Sequence, residues 1–170
     1  MIVLGLGSNL PSSLGNRFEN IDLAIEDLCN QNIKLVEKSS FYETPSYPNK
    51  NFPKFINVVI QISTNLKPEK LAEIIILAEK KIERKRLKKD DPRTCDIDIL
   101  DFDKKNIDFK YQNYKFIVPH EKLSFRNFVL FPLKEILPNW VHPKTNMHIN
   151  DLLDKLSNED KNSILMVKKP

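Results

Sequence analysis

The chain opens on an apolar run, Ile2 to Leu6, that ends in Gly-Ser-Asn, the pattern of a buried strand entering a turn. From about Ser13 to Leu28, the positions Leu14, Phe18, Ile21, Ala24, Ile25 and Leu28 recur at helical spacing and predict an amphipathic helix. Residues 33–42 and 55–64 are rich in Val, Ile and Phe, which predicts two strands, with a proline-punctuated loop between them. Pro68 followed by Glu69 opens a second helix whose apolar positions run through Leu71, Ile74, Ile75, Leu77, Ala78 and Ile82. A polar segment, 84–93, leads into a strand around Asp96 and Asp98. Beyond it a short strand is expected over 116–120, and helices over 125–137 and 149–156.

The order β-α-β-β-α-β within the first 102 residues is ferredoxin-like, an α+β sandwich of antiparallel sheet and packed helices, here with C-terminal helical additions. Two strand-helix-strand units also fit a parallel doubly wound sheet, but the strands at 33–42 and 55–64 have no helix between them, which favours α+β. With 170 residues, 41% hydrophobic content and no linker-like stretch, a single domain over 1–170 is expected, its core in about 2–156.

Charge and cysteine content narrow the function. A net charge of +4 permits an anionic ligand without the one-sided excess of a nucleic-acid binder. Two cysteines, Cys29 and Cys95, make no disulfide framework and have no metal-ligand spacing. The N-terminus lacks the features of a signal peptide, and no apolar run reaches the roughly 18 residues of a membrane span. A soluble cytoplasmic protein is expected, with no nucleic-acid or membrane partner and a monomeric state.

The chemistry concentrates in Asp91-Pro-Arg-Thr-Cys-Asp-Ile-Asp-Ile-Leu100. On a strand, Asp96 and Asp98 share one face while Cys95, Ile97 and Ile99 share the other. Two carboxylates side by side repel each other unless a cation sits between them. Arg84, Lys85, Arg86, Lys88, Lys89 and Arg93 lie just upstream, and arginine suits phosphate as a bidentate fork. The set fits a metal-bound polyphosphate. A Walker A loop is absent and Gly5-Leu-Gly7 lacks the third glycine of a dinucleotide fingerprint, so metal and cationic side chains must hold any nucleotide. A third cluster, Val118-Pro-His120 with Arg126 and Phe128, adds groups able to reach phosphate oxygens.

In order along the chain, Gly-Leu-Gly-Ser-Asn-Leu, Ser-Ser-Phe-Tyr-Glu-Thr-Pro, Phe-Ile-Asn, Pro-Arg-Thr-Cys-Asp-Ile-Asp-Ile-Leu, Val-Pro-His and Arg-Asn-Phe-Val-Leu-Phe-Pro-Leu closely resemble the 6-hydroxymethyl-7,8-dihydropterin pyrophosphokinases of folate synthesis. The resemblance implies ATP, two Mg²⁺ ions, and pyrophosphoryl transfer to the pterin hydroxymethyl oxygen with release of AMP. It implies Asp96 and Asp98 as metal ligands, with Arg84 and Arg93 joining them as catalytic residues. Glu79, Arg84, Arg86, Arg93, Ile99, Lys115, His120 and Arg126 would meet the nucleotide. Thr44, Pro45, Tyr47, Phe55, Asn57, Asp96 and Phe128 would meet the pterin, with Phe55 and Phe128 sandwiching its ring. Glu83 and Asp91 depart from the family, which usually has small residues there. Two other readings remain: a different Mg-dependent nucleotidyl or phosphoryl transferase built on the Asp-x-Asp pair, and a ferredoxin-like RNA-binding module, for which no RNP-type segment exists.

Overall fold

In the computed structural model, residues 1–84 and 91–170 are described. Strand β1 (Ile2–Ser8) lies at the centre of an antiparallel sheet, paired on one side with β4 (Phe55–Ser63) and on the other with β5 (Asp96–Phe102). Beyond β4 lie β2 (Lys34–Lys38) and β3 (Phe41–Thr44), both antiparallel to it. Helices α1 (Arg17–Cys29) and α2 (Pro68–Lys81) supply the crossovers of the ferredoxin-like order. Their apolar stripes, including Ile21, Ala24, Leu28, Leu71, Ile75 and Ala78, pack on Leu4, Leu6, Ile56, Ile60 and Ile97 from the sheet.

The additions after β5 cover the opposite face. Helix α3 (Asn127–Ile136) and the short α4 (Ile149–Asp154) bring Leu130, Leu133, Ile149 and Leu152 onto Val3, Val59 and Leu100, with Trp140 closing the cluster. The sheet is therefore covered on both faces, and its central strands read as near-continuous apolar runs. No helix among the described residues is long and apolar enough to cross a membrane.

Three expectations shift in detail. The strand expected over 33–42 is two, because the side chain of buried Ser39 interrupts the ladder. Its Oγ accepts the Val59 N–H at 3.0 Å, and its own N–H goes to the Val59 carbonyl at 2.9 Å. Helix α1 begins at Arg17, not near Ser13, because the Asn16 side chain caps Phe18 and Glu19, and Glu19 returns a bond to the Asn16 N–H. Leu14 is thus outside the helix and exposed. The strand expected at 116–120 is the second half of a hairpin, β6 (Ile107–Tyr111) with β7 (Tyr114–Val118), whose stacked Phe109 and Phe116 lie on one face. Residues 158–167, for which no element was expected, form α5 (Asn158–Asn162) and an edge strand, β8 (Leu165–Val167), paired with β3.

Candidate active site

Strand alternation decides where the acids go. Ile97 and Ile99 are buried in the core, and Asp96 and Asp98 emerge together on the other side, at the floor of a cavity of about 600 Å³. Gly7, on the neighbouring strand, keeps that floor open, since a Cβ there would stand 3.4 Å from Asn57 Oδ1 and 3.5 Å from the Phe55 ring.

Each acid faces a guanidinium. Arg84 reaches Asp96 and also Glu79, a carboxylate only 1% exposed that accepts the Ile97 N–H at 2.9 Å as well. Arg93 Nε lies 2.9 Å from the second Asp96 oxygen, although its N–H does not aim at that oxygen, so the contact is one of charge and not an aligned hydrogen bond. Arg126 pairs with Asp98 at 3.3 Å and stands 3.4 Å from His120 Nε2. Burial, then the neighbouring Asp96, pushes the Asp98 carboxyl above its ordinary range. Burial likewise lowers the His120 imidazole, against the pull of Asp98. For Arg84 burial works against the charge, and the carboxylates of Asp96 and Glu79 outweigh it, leaving the guanidinium more firmly protonated than usual.

The apolar wall comes from β4 and α3. Phe55 and Phe128 both line the cavity, and each carries a guanidinium over its ring, Arg93 at 5.2 Å and Arg126 at 5.4 Å. Between them, Asn57 Nδ2 donates to the Tyr42 carbonyl at 3.3 Å and to Thr44 Oγ1 at 3.0 Å. Those bonds fix the amide and turn Oδ1 toward Gly7 and the cavity. Pro45 and exposed Tyr47 complete this side.

All seven residues expected around a pterin therefore line one cavity with Arg93, Asp98 and Arg126. Arg84 and Glu79 stand behind Asp96, and His120 behind Arg126. Two expected nucleotide contacts are placed differently. The Ile99 side chain is buried in the core, which leaves only its backbone for a ligand. Lys115 reaches Asp108 across the hairpin at 3.4 Å and does not line the cavity. Arg86, with Lys85, Lys88, Lys89 and Asp90, lies outside the described residues.

Sequence reasoning missed Gly7, Asn9, Lys50, Asn127 and Ser163. Asn9, 1% exposed, accepts the Arg93 backbone N–H at 2.7 Å and donates to Ser46 Oγ and the Pro53 carbonyl, so it joins the Arg93 side of the cavity to the loop around Tyr47. Glu83 explains its own oddity. It sits at φ 59°, where glycine is at ease, and its carboxylate takes the Ser13 N–H at 2.8 Å and hydroxyl at 2.5 Å.

Among the described residues no group of three or more His, Cys, Asp or Glu converges as a closed metal site. The Asp96/Asp98 pair instead fits a hard divalent cation that completes its shell with water and ligand oxygens. Fold and cavity together define a class: a ferredoxin-like α+β protein with a small-molecule site that sets an acidic, arginine-lined floor beside a two-aromatic slot. The chain belongs to the 7,8-dihydro-6-hydroxymethylpterin-pyrophosphokinase family, whose model matches residues 3–138. It is similar to the 2-amino-4-hydroxy-6-hydroxymethyldihydropteridine pyrophosphokinase of Aquifex aeolicus, 37% identical over 142 residues that cover 84% of this chain and 83% of that one. It is also similar to the folic acid synthesis protein fol1 of Pneumocystis carinii, 34% identical over 164 residues, of whose length it spans 21%. A crystal structure of Plasmodium falciparum HPPK-DHPS with pterin and p-hydroxybenzoate shares the fold, with a TM-score of 0.75 at 16% identity, over 99% of this chain and 47% of that one.

Proposed function

We propose that this chain transfers a pyrophosphoryl group from ATP to the hydroxymethyl group of 6-hydroxymethyl-7,8-dihydropterin. The pterin hydroxymethyl oxygen bonds to the β-phosphorus and the α–β bridging bond breaks. AMP leaves with the bridging oxygen, and the hydroxyl proton is released. The observation that carries the reading is the single cavity in which Phe55, Phe128 and Asn57 face the same space as Arg93, Asp96 and Asp98.

A flat pterin between Phe55 and Phe128 gains about 0.5–1.5 kcal/mol per aromatic contact beyond burial. Asn57 Oδ1, held toward the cavity, accepts from the donor-bearing pyrimidine edge, whose polar atoms would otherwise cost about 1–3 kcal/mol each. Mg²⁺ held by Asp96 and Asp98 would neutralise phosphate charge and orient the triphosphate. Arg93 and Arg126 border the cavity, where they can turn from carboxylate to phosphate, and Arg84 fixes Asp96 from behind. Catalysis is then positioning and charge neutralisation, with no general base demanded.

Two apolar clusters on opposite faces of one sheet support reading residues 1–170 as a single domain. The test is AMP release from ATP with and without 6-hydroxymethyl-7,8-dihydropterin. Release that depends on the pterin is expected. Equal release without it would overturn the proposal in favour of another phosphoryl transferase.

A further inference from the structure

The cavity has a third wall, built by residues beyond the region that the family model matches. Glu159, Asp160 and Ser163 line it together with Phe55 and Phe128, and all three belong to the α5 segment. We propose that the C-terminal segment 157–167 is a structural wall of the acceptor site, and that Asn127 is the positioning residue that locks it to Phe128. This rests on the acceptor reading above.

The lock is complete at Asn127. Its side chain, 8% exposed, donates to the Asp160 carbonyl at 2.6 Å and to Ser163 Oγ at 2.9 Å, while its own Oδ1 accepts the Phe128 N–H at 2.7 Å. Both amide protons and the amide oxygen are thereby committed, and one buried side chain holds the wall against the first turn of α3. Phe128 is the next residue, so the placement of its ring depends on the same bonds.

Two more attachments lead to the other side of the slot. Leu165–Val167 pair with Phe41–Glu43, the strand that runs directly into Thr44 and Pro45. Lys50, in the loop that carries Tyr47, pairs with Glu159 at 2.7 Å. That pair is exposed and adds little energy, but it joins the loop to the wall. Core burial accounts for only part of the segment's position: Val167 packs against the main core, but Leu165 and Met166 are 57% and 63% exposed. The rest of its placement comes from directional bonds spread along it, at Glu159, Asp160, Ser163 and the edge strand. Its ligand is the neutral, flat heterocycle that Phe128 stacks on.

The experiment compares wild type, Asn127→Ala, Asn127→Asp (which keeps the acceptor for Phe128 and loses both donors) and a chain ending at Leu156. Binding of 6-hydroxymethylpterin is followed by its own fluorescence, and KM is measured for pterin and for ATP, with circular dichroism to confirm folding. Expected is a rise of about ten-fold in pterin Kd and KM for each variant, with KM for ATP moving less than two-fold. Adding Asn127→Asp, which keeps the acceptor for Phe128, to the shortened chain should cost nothing further, because the partners of the two donors are already gone. If the shortened chain does not fold, the two point variants decide. Wild type that neither binds nor uses the pterin would overturn the proposed function, and this inference with it. Wild type that does both, beside folded point variants with unchanged pterin binding or equal losses for pterin and ATP, would overturn the wall alone.

Discussion

Replacing Glu79 by alanine tests whether the acid-arginine floor is a structural unit as well as a binding surface. Glu79 is 1% exposed, and one of its oxygens serves both Arg84 and the Ile97 N–H. Arg84 is itself only 9% exposed at its side chain. Alanine would leave a buried guanidinium with Asp96 as its remaining named partner, and a buried amide with none. Breaking a buried pair from one side costs about 3–5 kcal/mol, and an orphaned amide about 1–3 kcal/mol. The two costs share one oxygen atom and do not add in full, so a loss of about 3–5 kcal/mol is expected. At this chain length each kcal/mol moves Tm by about 2–4 °C, which places the melting point roughly 6–20 °C lower. Glu79→Gln keeps an acceptor for Ile97 and loses only the charge, so its cost should fall near half of that. Urea unfolding read by Trp140, the sole tryptophan and 4% exposed, gives both values. A loss below about 1 kcal/mol for Glu79→Ala would refute the reasoning, because it would mean that water or another residue already satisfies Arg84. A glutamine variant as unstable as the alanine one would remove the Ile97 bond from the account.

Asn57→Ala, which removes the oriented amide oxygen, should raise the pterin KM by about ten-fold or more while KM for ATP stays put; equal shifts in both would contradict the assigned edge. Burial holds the Cys95 thiol well above its ordinary range, with Glu79 and Asp96 adding to the effect, whereas Cys29 is exposed. Iodoacetamide at pH 8 should therefore label Cys29 alone in the native protein and both cysteines in urea, as mass spectrometry of the peptides would show. Burial also lowers His142, whose Nδ1 accepts the Lys144 N–H at 3.1 Å. The unfolded chain then takes up a proton near pH 6.5 before the folded one does, so stability is lost as pH falls below that point. His142→Asn, compared with wild type in urea between pH 7.5 and 5, should lose less stability over that interval; an identical loss would clear His142 of the effect.

The fold was legible because the strongest patterns are those with the deepest burial. The apolar runs of β1 and β4 and the helical stripes of α1 and α2 form one core cluster, and the sequence periodicity already contains that geometry. The Asp96/Asp98 pair was legible for the same reason, since strand alternation alone sends both acids to one face. Phe55 and Phe128 were not legible from pattern, because a residue that lines a slot and one that fills a core read alike, and only resemblance separated them. The C-terminal wall escaped because its bonds are a side-chain amide, a backbone carbonyl and a three-residue edge strand, none of which leaves an apolar period. Lys115 was legible only by resemblance: no pattern marks it, and on the hairpin its side chain lies 3.4 Å from Asp108.

A strand that presents two aspartates on one face is tolerable here because arginines balance them: three carboxylates, Glu79, Asp96 and Asp98, face three guanidiniums, Arg84, Arg93 and Arg126. A triphosphate that draws Arg93 and Arg126 to itself leaves both aspartates facing it and each other. Side chains two apart on a strand are roughly 7 Å from one another, and at an effective dielectric constant of about 20 that repulsion is about 2.5 kcal/mol. Nucleotide affinity without a divalent cation should therefore be weaker by at least about 50-fold. Calorimetric titration of a non-hydrolysable ATP analogue in Mg²⁺ and in EDTA measures the ratio. The reasoning also specifies where the penalty resides. In an Asp96→Asn, Asp98→Asn double variant the acids no longer repel the phosphates, so the EDTA affinity should rise above that of wild type and the Mg²⁺ dependence should collapse. Wild-type affinities within three-fold of each other, or a double variant that keeps the full Mg²⁺ dependence, would mean that the aspartates are not the groups a metal must neutralise.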